Sequence, residues 1–113
     1  MPSETFEQFD VIVVPFPFTD GAASKRRPAL VLSASAFNRK AGHSVLAMIT
    51  SAEQSAWPND IPLRDLDPAG LPSRSVVRLK LFTLDHRLVL RKAGTLSRRD
   101  ADAVRKSLDT VRG

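Results

Sequence analysis

The run Lys25-Arg26-Arg27-Pro28 leads straight into the apolar stretch Ala29-Leu30-Val31-Leu32. A residue that precedes proline is pushed out of the helical region into extended geometry. Arg27 therefore enters a strand with its backbone already constrained. Its guanidinium is planar, permanently charged and forked, which suits a two-pronged grip on a phosphate. A pre-organised cation aimed at developing negative charge is usually the strongest single catalytic device. The plainer alternative is a strand-end cation that neutralises Asp20.

Thr50-Ser51 closes a second apolar run, residues 45–50. Its two hydroxyls can donate to a phosphate oxygen or a ribose, or they can cap the following turn. Arg78 and Lys80 lie two positions apart in an extended segment, roughly 7 Å from each other on one face. They form either a patch for a backbone anion or an ordinary solvated face. Asp85-His86 pairs a carboxylate with an imidazole, the types used in acid–base work, but neighbours on a strand point to opposite faces. His43 has no evident partner. Trp57, before Pro58, can stack on a base or lid the core. With two histidines and no cysteine, a dedicated metal site or a cofactor is not expected.

The elements that must carry these groups are short. Residues 9–14 read as a first strand, β-branched and apolar but for Asp10, buried on both faces and closed by Pro15 and Pro17. Residues 17–27 read as a loop around Thr19-Asp20-Gly21. Strands follow at 29–33 and 45–50, with an irregular stretch at 37–42 between them. Residues 52–74 carry four prolines and read as a long loop with at most a short strand near 61–63. Residues 75–85 are the clearest strand. Alternation places Val77, Leu79, Leu81 and Thr83 on a core face, with Val76, Arg78, Lys80 and Phe82 opposite. A strand at 88–90 and a turn at Ala93-Gly94 lead to a helix over 97–111. Ser97 is its N-cap, Asp100 nearly completes a capping box, and Ala101, Val104, Leu108 and Val111 form its apolar stripe. This order predicts one domain over residues 1–113, mostly β, folded as a small, partly open barrel with a C-terminal helix.

Composition narrows the classes. The chain has 113 residues, 42% of them hydrophobic, enough for one packed core. No apolar run approaches the roughly 20 residues of a membrane span. The start, MPSETFEQFD, has no basic segment, so no secretory signal and a cytoplasmic location are expected. Net charge is +5, from 17 Lys and Arg against 12 Asp and Glu. Residues 1–85 hold nine of each sign, while residues 86–113 hold eight basic and three acidic side chains. The surplus belongs to the tail and fits a polyanion or an acidic protein partner.

Taken in order, DVIVVPFPFTD, KRRPALVLS, the strand end AMITS, GLPSRSVVRLKLFTLD and a closing helix after GTLS resemble the MazF/PemK family of toxins from type II toxin–antitoxin systems, the PemK-type branch in particular. The resemblance spans nearly all of residues 9–112. It implies an SH3-like barrel, a homodimer, a cognate antitoxin and metal-independent cleavage of single-stranded RNA at short sequences. It carries the catalytic arginine and threonine onto Arg27 and Thr50. Thr19, Asp20, Lys25, Arg26 and Ser51 would line the RNA groove, joined by Arg78 and Lys80. The implied reaction is attack of a ribose 2′-OH on its own phosphate.

Two departures are visible. Some members carry a glutamate near the place of Ala22 and an aspartate near that of Lys80; this chain has neither, which leaves Asp20 as the nearest acidic group. Two other readings of the barrel stay open: a binding module without catalysis, and a toxin that poisons DNA gyrase, a role in which the Arg27-Pro28 element has no expected part.

Overall fold

The run DVIVVP forms β1 (Asp10–Pro15), as stiff β-branched side chains favour. The computed structural model describes residues 5–15, 26–53 and 57–113. Beyond β1 it contains β2 (Arg26–Val31), α1 (Ser35–Ala41), β3 (His43–Ser51), β4 (Ile61–Pro62), α2 (Leu66–Ala69), β5 (Ser75–Asp85), a 3₁₀ turn (His86–Leu88), β6 (Arg91–Thr95) and α3 (Arg98–Arg112). The strands form one antiparallel sheet in the order β4-β5-β3-β2-β1-β6, curled into the partly open barrel read from the sequence.

Both faces of this sheet are buried. Val11, Leu30, Ala47, Ile49 and Val77 face one core, which Leu63, Leu71, Ala101 and Val104 close from the helical side. Ile12, Val14, Ala29, Val31 and Leu46 face the other, under Phe6, Phe82 and Leu84. The first strand is thus buried on both sides, as its composition indicates.

Strict alternation fails along β5. The β3–β5 register slips between Ala47 and Met48, so that Ala47 faces Leu81 while Met48 faces Arg78. Leu81, assigned to the core by alternation, is 47% exposed, whereas Phe82 and Leu84, on the supposed polar face, close the second core. A bulge of this kind cannot be read from one strand, because it depends on the partner's length.

Three further elements differ from the sequence reading. Residues 37–42, read as irregular, belong to α1 and its C-cap. The fully buried Asn38 holds that helix by donating from Nδ2 to the carbonyls of Phe6 (2.7 Å) and Ser33 (3.1 Å). The strand expected at 88–90 lies at Arg91–Thr95 and runs through Ala93-Gly94, the pair taken for a turn. Gly94 serves close approach instead: a Cβ there would stand 2.2 Å from the Pro68 carbonyl oxygen. The capping box is only half made. Ser97 caps α3 by accepting from the Asp100 N–H (3.3 Å), but the Asp100 carboxylate turns away to accept from the N–H groups of Arg64 and Asp65.

Asp100 therefore pins the loop after β4 to the start of α3 from a position only 1% exposed. Asp100→Ala should cost about 1–3 kcal/mol, because two part-buried amides lose a charged acceptor. Asp109→Ala, at the exposed end of the same helix, should cost nothing measurable. Urea midpoints at unchanged m-value give the comparison, and equal midpoints would remove Asp100 from this role.

Candidate functional site

β2 and β3 pair only over Ala29–Met48, Leu30–Ala47 and Val31–Leu46. The ladder stops at Pro28, which has no N–H to offer. Beyond that point the strands part, and a pocket of about 180 Å³ opens between them, lined by Arg27, Thr50, Ser51 and Ser75, with Leu71, Pro72 and Ser73 on its far side.

The register explains why these residues meet. Arg27 lies opposite Val14 on β1, and Thr50 lies opposite Val76 on β5. Continuing the β2–β3 pairing past Ala29–Met48 brings Arg27 opposite Thr50. One row, Val14-Arg27-Thr50-Val76, thus crosses four strands on a single face, with neighbouring side chains about 5 Å apart at Cβ. Thr50 is only 8% exposed. Ser51 also lines the pocket, while its Oγ accepts from the Glu53 N–H (3.2 Å), so it caps the turn as well.

The cations divide sharply. Arg27 makes no ion pair or side-chain hydrogen bond with any described residue, and neither do Arg26 and Arg91. Arg26 and Arg91 line a neighbouring pocket of about 360 Å³ that shares Pro28, Leu71 and Pro72 with the first. The basic tail contrasts with this. Arg87, Lys92, Arg99, Arg105 and Arg112 each pair with an aspartate, so most of its surplus is neutralised locally. Arg99 and Ser97 hold the Asp65 carboxyl down to about 2. Arg91, Leu71 and Ser75 were not singled out from the sequence. Their signal is purely spatial, arising where loops and a sixth strand close around the gap.

Arg78 and Lys80 do share a face, but Arg78 is held by Asp60 through Nε–Oδ1 (3.2 Å) and Nη2–Oδ2 (2.9 Å). That pair raises the Arg78 pKa above its ordinary value. Trp57 does not lid a core. It is 40% exposed and belongs to neither buried cluster. Thr19, Asp20 and Lys25 lie outside the described residues, as does Ala22.

Asp85 and His86 part company, though not by strand alternation, because β5 ends at Asp85 and His86 opens the 3₁₀ turn. Asp85 accepts from the Arg87 guanidinium (2.7 Å), which holds its carboxyl well below the usual range. It also stands 4.0 Å from His43, the cross-strand partner the sequence did not reveal. His86 Nε2 lies 2.8 Å from Ser44 Oγ, and its ring meets Phe6 edge-on. This cluster shares no lining residue with the Arg27 pocket. Among the described residues no three His, Asp or Glu side chains gather to hold a metal ion. No helix among them is long and apolar enough to cross a membrane.

Residues 7–111 match the model of the PemK-like, MazF-like toxin of type II toxin–antitoxin systems. No curated protein matches the chain. Among solved structures it is similar to a MazE–MazF complex from Deinococcus radiodurans, with 24% identity, a TM-score of 0.77 and coverage of 97% of this chain and 98% of that one. It is also similar to an endoribonuclease in complex with its cognate antitoxin from mycobacterial species, with 18% identity, a TM-score of 0.75 and coverage of 100% and 96%. A Mycobacterium tuberculosis MazF toxin aligns with 19% identity, a TM-score of 0.71 and coverage of 89% and 93%.

Burial lowers the His86 pKa, with His43 adding to the effect. The fold thus prefers the neutral ring, and the unfolded chain takes up the proton first. The associated stability should be complete above the ordinary histidine pKa of about 6.5. It should fall as the pH drops from there toward the folded value. Thermal melts of wild type and His86→Gln across pH 5–8 should differ in slope below about 6.5, and parallel curves would refute the link.

Proposed function

Because the chain belongs to the PemK-like, MazF-like toxin family of type II toxin–antitoxin systems, we propose that it is a sequence-specific endoribonuclease that cuts single-stranded RNA and arrests growth. The reading takes the chain as one toxin domain working without a metal. The observation that carries it is the meeting of Arg27 and Thr50, from different strands, in one pocket where no described residue occupies the guanidinium.

The chemistry asks little beyond positioning. The ribose 2′-oxygen loses its proton and bonds to the adjacent phosphorus. The P–O5′ bond breaks and O5′ takes up a proton, leaving a 2′,3′-cyclic phosphate and a free 5′-hydroxyl. Because nucleophile and phosphate belong to one substrate, alignment alone supplies much of the rate. Arg27 meets the charge that grows on the non-bridging oxygens, and Thr50 Oγ1 donates a further hydrogen bond. Ser51 and Arg26 line the path, and Arg91 continues it, so that flanking phosphates meet fixed cations. In the same reading Thr19 and Lys25 contribute from the sequence before β2, with Arg78 and Lys80 beside the Thr50 row. Asp20, two residues before Ala22, near whose place some members carry a glutamate, is the acidic candidate for proton transfer.

A cognate antitoxin and a homodimer belong to this reading, since a free toxin would harm its own cell and the Deinococcus relative is seen with MazE. The substrate places the protein in the cytoplasm. One observation favours a second reading, a binding module without catalysis: the described residues of the pocket include no carboxylate and no imidazole.

Incubation of the purified protein with mixed-sequence RNA in chelator separates the two. Cleavage at a short sequence, with cyclic phosphate and 5′-hydroxyl ends, is expected; intact RNA bound to the protein would leave only the module. Arg27→Ala should lower the cleavage rate about a hundred- to a thousandfold with an unchanged circular dichroism spectrum, and wild-type activity in that variant would remove the arginine from the mechanism. Arg91→Ala should spare cleavage of the shortest substrates and flatten the salt dependence of binding by about 0.7 in log–log slope, the share of one single-strand phosphate. An unaltered slope would take Arg91 off the path.

A further inference from the structure

Trp57 is the chain's sole tryptophan, and its setting is unusual for so large an apolar ring. It is 40% exposed, yet its backbone is tied into a turn. Its backbone N–H donates to Asp60 Oδ2 (3.2 Å), and the Asp60 backbone N–H donates back to the Trp57 carbonyl (3.2 Å). Asn59 takes the left-handed conformation that this tight turn requires, with φ of 63°. The same Asp60 carboxylate clamps Arg78 on β5. One aspartate therefore ties the turn to the sheet and sets the indole against two cations. Arg78 Cζ lies 6.0 Å from the ring centroid and Lys80 Nζ lies 5.6 Å from it.

The patch is close to the Arg27 pocket. Arg78 faces Met48, two pairs along the ladder from Thr50–Val76. Residues alternating on one face repeat about every 7 Å. The indole thus stands within reach of a nucleotide next to one held at Arg27 and Thr50.

We infer that Trp57 is a stacking platform for an unpaired base flanking the cleaved bond, held in place by Asp60 and Arg78, with Lys80 supplying charge for the adjoining phosphate. An exposed, pre-set aromatic beside cations is the arrangement that binds single strands, since every base offers a π-face and the backbone offers charge. A base that must occupy this platform also contributes to the choice of sequence, through how well it stacks. The inference rests on the ribonuclease reading for the identity of the ligand.

Because the indole is the only one, its fluorescence reports on this site alone. A mixed-sequence pool of short 2′-O-methyl RNA, which lacks the attacking hydroxyl, would be titrated into the wild-type protein, with binding followed independently by anisotropy. Emission should be quenched in step with binding. Trp57→Ala should weaken binding roughly five- to a hundredfold and relax preference at one position in cleaved RNA, while Trp57→Phe should recover part of both. Arg27→Ala should leave the quench in place. Binding with unchanged emission, or an alanine variant that cuts the same sites with the same kcat/KM, overturns the platform. Quenching without cleavage of ordinary RNA would keep the platform and sink the ribonuclease; no binding at all would overturn both.

Discussion

The site depends on one missing hydrogen-bond donor. β2 is the fourth strand in sheet order and is paired on both sides. Ala29, Leu30 and Val31 are fully buried in the two cores. At Pro28 the supply of N–H groups fails, and the pairing with β3 ends while the pairing with β1 continues to Arg26. A proline is tolerated inside a sheet only where a ladder bond is not needed. Its cost here is offset by deep burial just downstream, which holds the backbone whether or not the last rung forms. The result is a rigid strand whose first residues border a gap. Any cation at position 27 is thereby presented to that gap on a stiff mount, with Thr50 across from it.

The distribution of ion pairs follows the same division. Pairs at the surface contribute little to stability, but they decide which cations remain available. The tail's arginines are largely matched by aspartates on the same or a neighbouring element. Arg26, Arg27 and Arg91, from β2 and β6, have no such partner among the described residues. The excess sits in the last 28 residues, 86–113, and of these Arg91 joins Arg26 and Arg27 around the pockets at Pro28. A charge count sees only sums, whereas a polyanion responds to the local field that remains after pairing.

What the sequence disclosed and what it hid follow from the range of each cause. Strands β1, β3 and β5 and helix α3 were legible because their signals are local: β-branched runs, hydroxyl-terminated strand ends, Ser97 before an apolar stripe. β2, expected at 29–33 after a loop to 27, instead runs from Arg26 to Val31. Arg27 was legible because the constraint that Pro28 places on it acts through a single peptide bond. β6 was misread because glycine serves two purposes, and only packing against Pro68 and Ala69 tells close approach from a turn. α1 was missed because Asn38, an indifferent helix former, is held by carbonyls of Phe6 and Ser33 rather than by propensity. The β5 bulge and the His43–Asp85 approach depend on register between strands, which no single strand encodes. For Trp57 the sequence left base stacking and a lid both open, since Asp60, Arg78 and Lys80 meet it only once β5 is in place.

The lining of the Arg27 pocket also bears on how protons would move in the proposed reaction. Arginine cannot serve as a base, because its guanidinium stays protonated in proteins. Thr50, Ser51, Ser73 and Ser75 bring hydroxyls, whose ordinary function is to donate and accept hydrogen bonds rather than to hold a proton. The described lining is thus rich in groups that stabilise negative charge and has none that titrates near neutrality. Such a site favours the phosphorane over the starting phosphate by electrostatics, which can be the larger contribution, and leaves proton abstraction to another segment or to water. General acid–base assistance is typically worth about 10²–10⁴ in rate. An enzyme that omitted it would still be far faster than the uncatalysed reaction, though slower than relatives with a carboxylate in place. In the proposed reaction Arg27 would thus supply most of the stabilisation that the described lining offers, with proton transfer coming from outside that lining.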